Sequence, residues 1–491
     1  MLSSIKRMID CFEKYNIDYC HWKSNEHLND ALNGDTDLDI LFRPNQRDLL
    51  ENALSEAGLK RFRATPLMQY NAIEDYIGFD KETSKIWHLH LHYRLTIGEK
   101  HLKGYTVPWT EHILSRRYIA ISELGDIYCS NPADEYFLLL VRMALKLRWR
   151  DLGKKIGSDD LVEIQWLNGK CKDEEVIEVA KKLIDEQVAL EIEKLLNINL
   201  EGKNQLLRLQ KKLRNKLRVY SSYSNCTSWI KRTQREIFWL FGGIKRRMGF
   251  CSVNANRRIS PSGGTVVAIL GCDGAGKSTT ISYVKKEFNK KIDVYSTYLG
   301  SGDGSSSLLR KPMKLVAKKV GGKGIGHSVE KEIDSGKKTS IKAKVYSFAK
   351  VIWAITLAYE KKSKLKKITK ARNNGLLVLV DRYPQVEVLG YSDGPLLSRY
   401  SAGEGLMKKI SDWEYDVYTS AYINAPDLLV KLMVPTEIAI QRKPEMTVEE
   451  IENKKVAVRK IHAGKKEVEI DTNCDLINSV SKVMESIWNE I

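Results

Sequence analysis

Apolar residues Leu2, Ile5, Met8, Ile9 and Phe12 recur three and four positions apart, the spacing of one helix face, and predict an amphipathic first helix. IDYCHW (17–22) then reads as a strand. It is followed by a polar helix around 25–33, the strand DLDILF (37–42), a helix near 45–57 and a strand-like WHLHLHYRL (87–95). This alternation predicts a small α/β domain over residues 1–130. From Asn131 to about residue 200 the period becomes helical, opening NPADEYFLLLVRMALKLRWRDL with Pro132 at the helix start. Residues 201–262 lack a comparable core pattern and are read as a basic amphipathic linker. After SPSGG (260–264), the β-branched strand TVVAIL opens a second α/β domain over residues 263–491. The chain shows no internal repeat.

Composition narrows the functional classes. Lys and Arg number 80 against 62 Asp and Glu, a formal net charge of +18, so an anionic partner is expected: a nucleotide, a nucleic acid or an acidic membrane surface. The excess concentrates in the middle, where residues 201–258 hold fifteen basic residues and two acids, Glu201 and Glu236. There Trp229, Ile230, Ile237, Phe238, Trp239, Leu240 and Phe241 lie among Lys231, Arg232, Arg235, Lys245, Arg246 and Arg247. That mixture predicts a helix lying in an anionic membrane interface. No apolar run reaches the length of a transmembrane helix. The amino terminus lacks the apolar core of a secretory signal, and the eight cysteines lack zinc-like spacing. A reduced cytoplasmic location is therefore expected, with the basic stretch peripheral to the inner membrane face.

The chemistry starts at Gly271-Cys272-Asp273-Gly274-Ala275-Gly276-Lys277-Ser278-Thr279. Gly271 to Ser278 match G-x-x-x-x-G-K-S between a strand and a helix. In such a loop backbone N–H groups surround triphosphate oxygens, Lys277 reaches the β and γ phosphates, and Ser278 ligates Mg²⁺. A hundred residues on, the strand GLLVLV ends in Asp381-Arg382-Tyr383. A carboxylate at the carboxyl end of a central parallel strand lies beside the phosphate loop, where Asp381 can hold Mg²⁺ through water or orient the attacking group. Arg382 offers a planar fork for an acceptor phosphate. Arg442, Lys443 and Arg459 flank PEMTVEEIEN, where a lid would bring cations over the transferring phosphoryl.

The combination of GxDGxGKST with a strand ending DRY resembles the thymidylate kinase family, over residues 264–491, and PDLLVKLMVPTEIAIQRK (426–443) extends the likeness. The resemblance implies a P-loop kinase fold, ATP and Mg²⁺ as cofactors, an acceptor hydroxyl on Asp273, and an acceptor site shared by Arg382 and Tyr383. TYLGSGDGSSSLLRKP (297–312) stands where the family carries its Arg-Glu-Pro-Gly-Gly-Thr loop, so poor turnover of thymidylate itself is expected. Similar thymidylate kinase-like proteins are associated with bacterial polysaccharide biosynthesis.

The amino-terminal half holds a second signal. Ser24, separated by twelve residues from Asp37-Leu38-Asp39, resembles the Gly-Ser to Asp-x-Asp spacing of nucleotidyltransferases built like DNA polymerase beta. On a strand Asp37 and Asp39 share a face and can hold Mg²⁺ and a nucleotide's phosphates, with a helix from Asn25 onward aiming its amino end at them. Lys23 stands where the family has glycine. The third carboxylate is missing from WHLHLHYRL, where His88, His90 and His92 share a face, with His90 expected in its place. The sequence thus predicts ATP-dependent phosphoryl transfer to a nucleoside monophosphate or similar phosphorylated small molecule, with a second nucleotidyl transfer. The alternatives are an RNA end-processing enzyme or a membrane-surface scaffold in polysaccharide assembly.

Overall fold

Burial of Ile5, Met8, Ile9, Cys11 and Phe12 fixes the first helix, α1 (Ser3–Lys14), against a mixed sheet. The computed structural model describes residues 1–151, 157–197, 203–248, 252–300, 341–389, 393–473 and 475–491. These residues form two compact units, 1–250 with 256–261, and 251–255 with 262–491.

In the first unit β1 (Tyr19–His21) leads through a 3₁₀ turn (Asn25–His27) into a five-residue α2 (Leu28–Leu32) and then β2 (Leu38–Phe42). Next come α3 (Arg47–Glu56), β3 (Lys60–Ala64), β4 (Ile73–Asp80), β5 (Lys85–His92), the hairpin of β6 (Leu95–Glu99) and β7 (Leu102–Val107), α4 (Thr110–Ser115), β8 (Tyr118–Ser122) and β9 (Gly125–Cys129). The strand expected over 87–95 is two elements, because the chain leaves β5 after His92 and Leu95 pairs instead with Val107 of β7. A Cβ at Gly78 of β4 would come within 2.3 Å of the Trp87 indole on β5, so this pair of strands requires glycine there.

The helical middle belongs to the same unit. It comprises α5 (Pro132–Lys146), α6 (Ser158–Asn168), α7 (Asp173–Leu183), α8 (Glu186–Leu196), α9 (Lys203–Lys216) and α10 (Asn225–Arg247). Asn131 caps α5 by accepting the Ala133 N–H at 3.0 Å. Leu206, Leu209 and Leu213 of α9 are buried in one core with α5, α7 and α8. The stretch read as a linker from residue 201 is therefore, as far as α9 reaches, core structure, since its leucines recur at helical spacing beneath a charged outer face. A two-residue strand, β10 (Arg258–Ile259), completes the sheet in the order β10-β3-β4-β5-β2-β1-β9-β8.

The second unit is a parallel α/β layer structure. Its elements are β11 (Val266–Gly271), α11 (Lys277–Phe288), β12 (Val294–Tyr298), α12 (Ile341–Asn373), β13 (Leu377–Asp381), α13 (Leu406–Ile423), β14 (Leu428–Met433), α14 (Thr436–Arg442), α15 (Val448–Lys460), β15 (Lys466–Asp471) and α16 (Leu476–Glu490). All neighbouring strands are parallel, in the order β12-β13-β11-β14-β15. Such a sheet needs helices on both faces, which explains why β11 and β13 read as nearly unbroken apolar runs. The divergent segment 297–312 starts in β12, and from residue 301 it lies outside the described residues.

Candidate functional site

The carboxyl ends of β11 and β13 open onto a cavity of about 690 Å³ lined by the phosphate loop, Tyr298, Asp381, Arg382, Arg442 and Lys443. Gly274 and Gly276 adopt φ of 84° and 83°, conformations that side chains resist. A Cβ on Gly274 would also meet the Ala439 carbonyl at 2.9 Å. The turn delivers the chain into α11 at Lys277, so the N–H groups of the first helical turn face the cavity end. Cys272 and Ala275 bury their side chains, leaving backbone to the ligand side. Ser278 and Thr279 line the cavity. Lys277 Nζ donates to the Gly271 and Cys272 carbonyls at 2.8 Å each. Burial and the neighbouring Arg382 hold its pKa below that of an ordinary lysine.

Asp381 carries the chemically telling atom. Its Oδ1 is buried and has no hydrogen-bond partner among the described residues, and burial raises its carboxyl pKa against the pull of Lys277 and Arg382. A buried carboxylate oxygen left open beside a phosphate loop fits a divalent cation. With Ser278 it offers oxygen donors of the kind that Mg²⁺ takes.

Arg382 follows with φ 65°, a left-handed conformation uncommon for a non-glycine residue. Its Nη2 lies 3.0 Å from Asp273 Oδ1 and its Nη1 3.5 Å from Asp393 Oδ2, while Nε is buried without a partner among the described residues. Asp273 also accepts from Lys454 at 2.5 Å. Burial alone would raise the Asp273 pKa, but Lys454, Lys277 and Arg382 together hold it low. Lys454 lies on α15, whose first turn is set by a Thr447–Glu450 capping box.

Several expectations need correction. Tyr383 is not in the acceptor site: its ring is fully buried and its hydroxyl donates to the Ala421 and Asn424 carbonyls. Tyr383 lies beyond the end of β13, after the left-handed turn at Arg382, and its side chain enters the core while Arg382 lines the cavity. Of the lid cations, Arg442 donates to the Gly274 carbonyl at 3.0 Å and Lys443 lines the cavity. Arg459 does not line it. Lys454, earlier on the same helix, reaches the loop instead. Sequence reasoning also missed Asp393 and Lys361. Lys361 is buried, donates to the Asp393 carbonyl at 3.2 Å, and is pushed down to about 8 by its burial despite Asp393.

The first unit brings Asp37, Asp39 and the three histidines together. Asp39 pairs in register with His90, and His90 with Asp75 of β4, so three strands present Asp39, His90 and Asp75 in one row. Asp75 supplies a third carboxylate from an antiparallel strand that no motif spacing marked. Its side chain is held by His88 Nε2 at 2.8 Å and Arg258 Nε at 2.7 Å. His88 Nδ1 lies 3.1 Å from Asp37. Asp39 Oδ1 meets Lys23 Nζ at 2.9 Å, His90 Nδ1 at 2.9 Å and His92 Nε2 at 3.1 Å. Burial would raise the Asp39 pKa, but Lys23 and the two imidazoles carry it well below the usual carboxylate range. Burial pushes His90 down to about 4 and His92 well below its ordinary value, so both rings are neutral near pH 7.

The Mg²⁺ expected on Asp37 and Asp39 does not fit this arrangement. Mg²⁺ favours six oxygens in a near-octahedral shell, and Asp39 is ringed by nitrogen. The expected helix at Ser24 also fails as a phosphate site. Ser24 has φ 57° and leads into a 3₁₀ turn, and the helix beyond that turn has only five residues, too short for the summed dipole that anchors an anion. Asn25 is turned inward instead, its N–H donating to Glu135 Oε1 at 2.9 Å.

No family model matches the chain. YghR of Escherichia coli K12, described as an ATP-binding protein, is 29% identical over 217 residues, covering 42% of this chain and 80% of that protein. YghS of the same strain, also described as ATP-binding, is 30% identical over 187 residues, covering 37% of this chain and 73% of its own. Among solved structures, deoxyadenosine kinase from M. mycoides with bound dATP covers 45% of this chain and 98% of its own, at 15% identity and a TM-score of 0.25. By its likeness to YghS, the chain belongs to the family of these ATP-binding proteins.

Proposed function

We propose that the second unit is an ATP-dependent kinase whose acceptor is a nucleoside monophosphate or a similar phosphorylated small molecule. The observation that supports it best is the division of one cavity into two charged sides. Lys277 and Ser278 serve the donor loop, while Arg382 presents a guanidinium paired to Asp273 on the strand-end side. An acceptor phosphate can take one guanidinium edge in bidentate fashion, and an acceptor hydroxyl can replace Lys454 or Arg382 on Asp273. Ser278 and Asp381 would hold Mg²⁺, which when bound neutralises phosphate charge. Arg442, anchored on the Gly274 carbonyl, is placed to meet charge that develops on the transferred group. The test is phosphate transfer from labelled ATP to a panel of nucleoside monophosphates and to cell extract, with the product identified. ATP hydrolysis without any phosphorylated product would overturn the reading. Thymidylate should be turned over poorly, and efficient thymidylate phosphorylation would remove the significance given to residues 297–312.

Nucleotidyl transfer by the first unit is a second reading that keeps only the carboxylates Asp37, Asp39 and Asp75 in its favour, since neither Mg²⁺ on Asp39 nor a phosphate-binding helix at Ser24 fits. Asp37→Asn and Asp39→Asn should each lower transfer of a labelled nucleotide by on the order of a hundredfold or more. Unchanged transfer in both variants would leave these carboxylates without a catalytic part.

The membrane reading rests on α10. Trp229, Ile230, Ile237, Leu240, Phe241 and Ile244 are each 43–61% exposed and fall on one helical face. The other face is tied down: Arg232 pairs with Glu99, Arg235 donates to the Gln69 carbonyl, and Glu236 meets Arg148. Trp239 lies over the His101 ring, 5.5 Å between centroids, so it belongs to the docked side rather than to the apolar stripe. Among the described residues no helix is long and apolar enough to cross a membrane. We propose that this stripe dips into an anionic bilayer, the surrounding excess of cations favouring acidic headgroups. Wild type should float with anionic liposomes, and a Leu240→Glu, Phe241→Glu variant should lose most of that binding. Equal flotation of the two proteins would sink the idea.

A further inference from the structure

The N-terminal row contains a donor set that neither phosphoryl transfer nor nucleotidyl transfer explains. Asp39 of β2 and His90 and His92 of β5 offer a carboxylate oxygen and one imidazole nitrogen each, all within 4.8 Å of one another. Two edges of that triangle, Asp39–His90 and Asp39–His92, measure 2.9 and 3.1 Å. A tetrahedral ion with bonds of about 2.0–2.1 Å separates its ligands by roughly 3.3 Å. On those two edges the donors stand within a few tenths of an ångström of coordinating spacing before any ion enters, and the third edge is no longer than 4.8 Å.

The scaffold holds this geometry rigidly. The strands are parallel neighbours, with Asp39 opposite His90 and Leu41 opposite His92. Strand alternation puts all three donors on one face. His92 packs edge-on against Trp22, 5.2 Å between ring centroids, and its side chain is fully buried, while His90 keeps a partly open side. A fourth position can thus take water or a ligand.

Donor chemistry selects the ion. Two imidazoles and one carboxylate suit Zn²⁺, Co²⁺ or Ni²⁺, whereas Mg²⁺ and Ca²⁺ seek oxygen. We propose that Asp39, His90 and His92 form a site for a borderline transition-metal dication, with Lys23 as its built-in competitor. The Lys23 ammonium sits 2.9 Å from the same Asp39 oxygen and supplies the positive charge there in the metal-free chain. It also lies 5.3 Å from the Trp22 ring centroid, a cation-accepting surface onto which it can withdraw. Metal binding and lysine withdrawal are then one exchange of cations on Asp39. Metal uptake at Asp39 does not depend on whether the unit transfers nucleotides.

The test uses the full chain, stripped with chelator and titrated with Co²⁺ under optical absorption. Nitrogen-rich, low-coordinate Co²⁺ absorbs strongly in the visible, and six-coordinate Co²⁺ on oxygen ligands, as at the phosphate loop, absorbs weakly. Wild type should develop strong bands at one equivalent and lose them to Zn²⁺. Lys23→Gln should tighten Co²⁺ about tenfold or more, because it removes a charge competing at contact distance. Asp39→Asn should weaken it at least tenfold, and His90→Gln with His92→Gln should abolish the bands. Circular dichroism identifies any variant that fails to fold. Strong bands absent from both wild type and folded Lys23→Gln would overturn the proposal, as would bands that survive loss of both histidines.

Discussion

Replacing Lys277 with alanine is expected to lower ATP-dependent phosphoryl transfer by on the order of 10²–10³-fold, the loss typical when a preorganised charge is removed from developing negative charge. Lys277 is 8% exposed, and its ammonium is held on two loop carbonyls, Gly271 and Cys272, at 2.8 Å. Those carbonyls orient it without neutralising it, so its charge is free for phosphate oxygens. Alanine leaves Gly274 and Gly276 in their left-handed conformations, so the loop keeps its shape. Binding of a labelled ATP analogue and rate of transfer should both fall. Transfer at the wild-type rate would show that this loop is not the donor site.

Arg382→Ala is expected to act on the other substrate. It should raise the acceptor's KM and lower kcat, with kcat/KM falling on the order of a hundredfold, since the fork positions one reactant against the other. ATP binding should survive. Arg382 is one of the groups that depress the Lys277 pKa, so its removal leaves Lys277 more firmly protonated. Asp273 loses the Arg382 guanidinium, but Lys454 remains at 2.5 Å. Residue 382 sits at φ 65°, a cost set by the Cβ that arginine, alanine and lysine share, so the two variants differ in the head group alone and Arg382→Lys isolates the fork. Lysine keeps the charge but loses the planar fork. A lysine variant as slow as alanine points to bidentate recognition, whereas equal loss of ATP affinity in both variants would refute an acceptor role.

Much of the second unit was legible because its signals are local. The β-branched run 265–270, the glycines at 274 and 276 and the strand ending at Asp381 each follow from backbone constraints that act within a few residues. The lid was only half legible. Arg442 and Lys443 adjoin the end of a short helix and could be placed, but Lys454 and Arg459 occupy one helix at i and i+5. Facing decides between them, and facing depends on which side of α15 packs on the sheet. Tyr383 shows the same limit, since its neighbour Arg382 enters the cavity while it points into the core.

In the first unit the Asp-x-Asp strand and the alternating histidines were readable from a period of two. Their partners were not. Asp75 reaches the row through an antiparallel pairing of β4 with β5, and Arg258 arrives from a strand more than 180 positions later in the chain. The basic stretch misled in one half: α9 is core, because its leucines recur on one face, while α10 shows its apolar stripe to solvent.

By itself, then, the sequence determined the two α/β units, the phosphate loop with its Lys277 and Ser278, and the carboxylate pairs available for chemistry, all set by short-range periodicity and turn geometry. Only the tertiary structure decided that Asp381 keeps a buried oxygen unpartnered among the described residues, that Lys454 rather than Arg459 answers Asp273, and that Lys23, His90 and His92 converge on one oxygen of Asp39. Those outcomes depend on strand register and helix facing. A one-residue change in register would turn every side chain of a strand to the other face, and nothing in a local pattern fixes which distant strand becomes its neighbour.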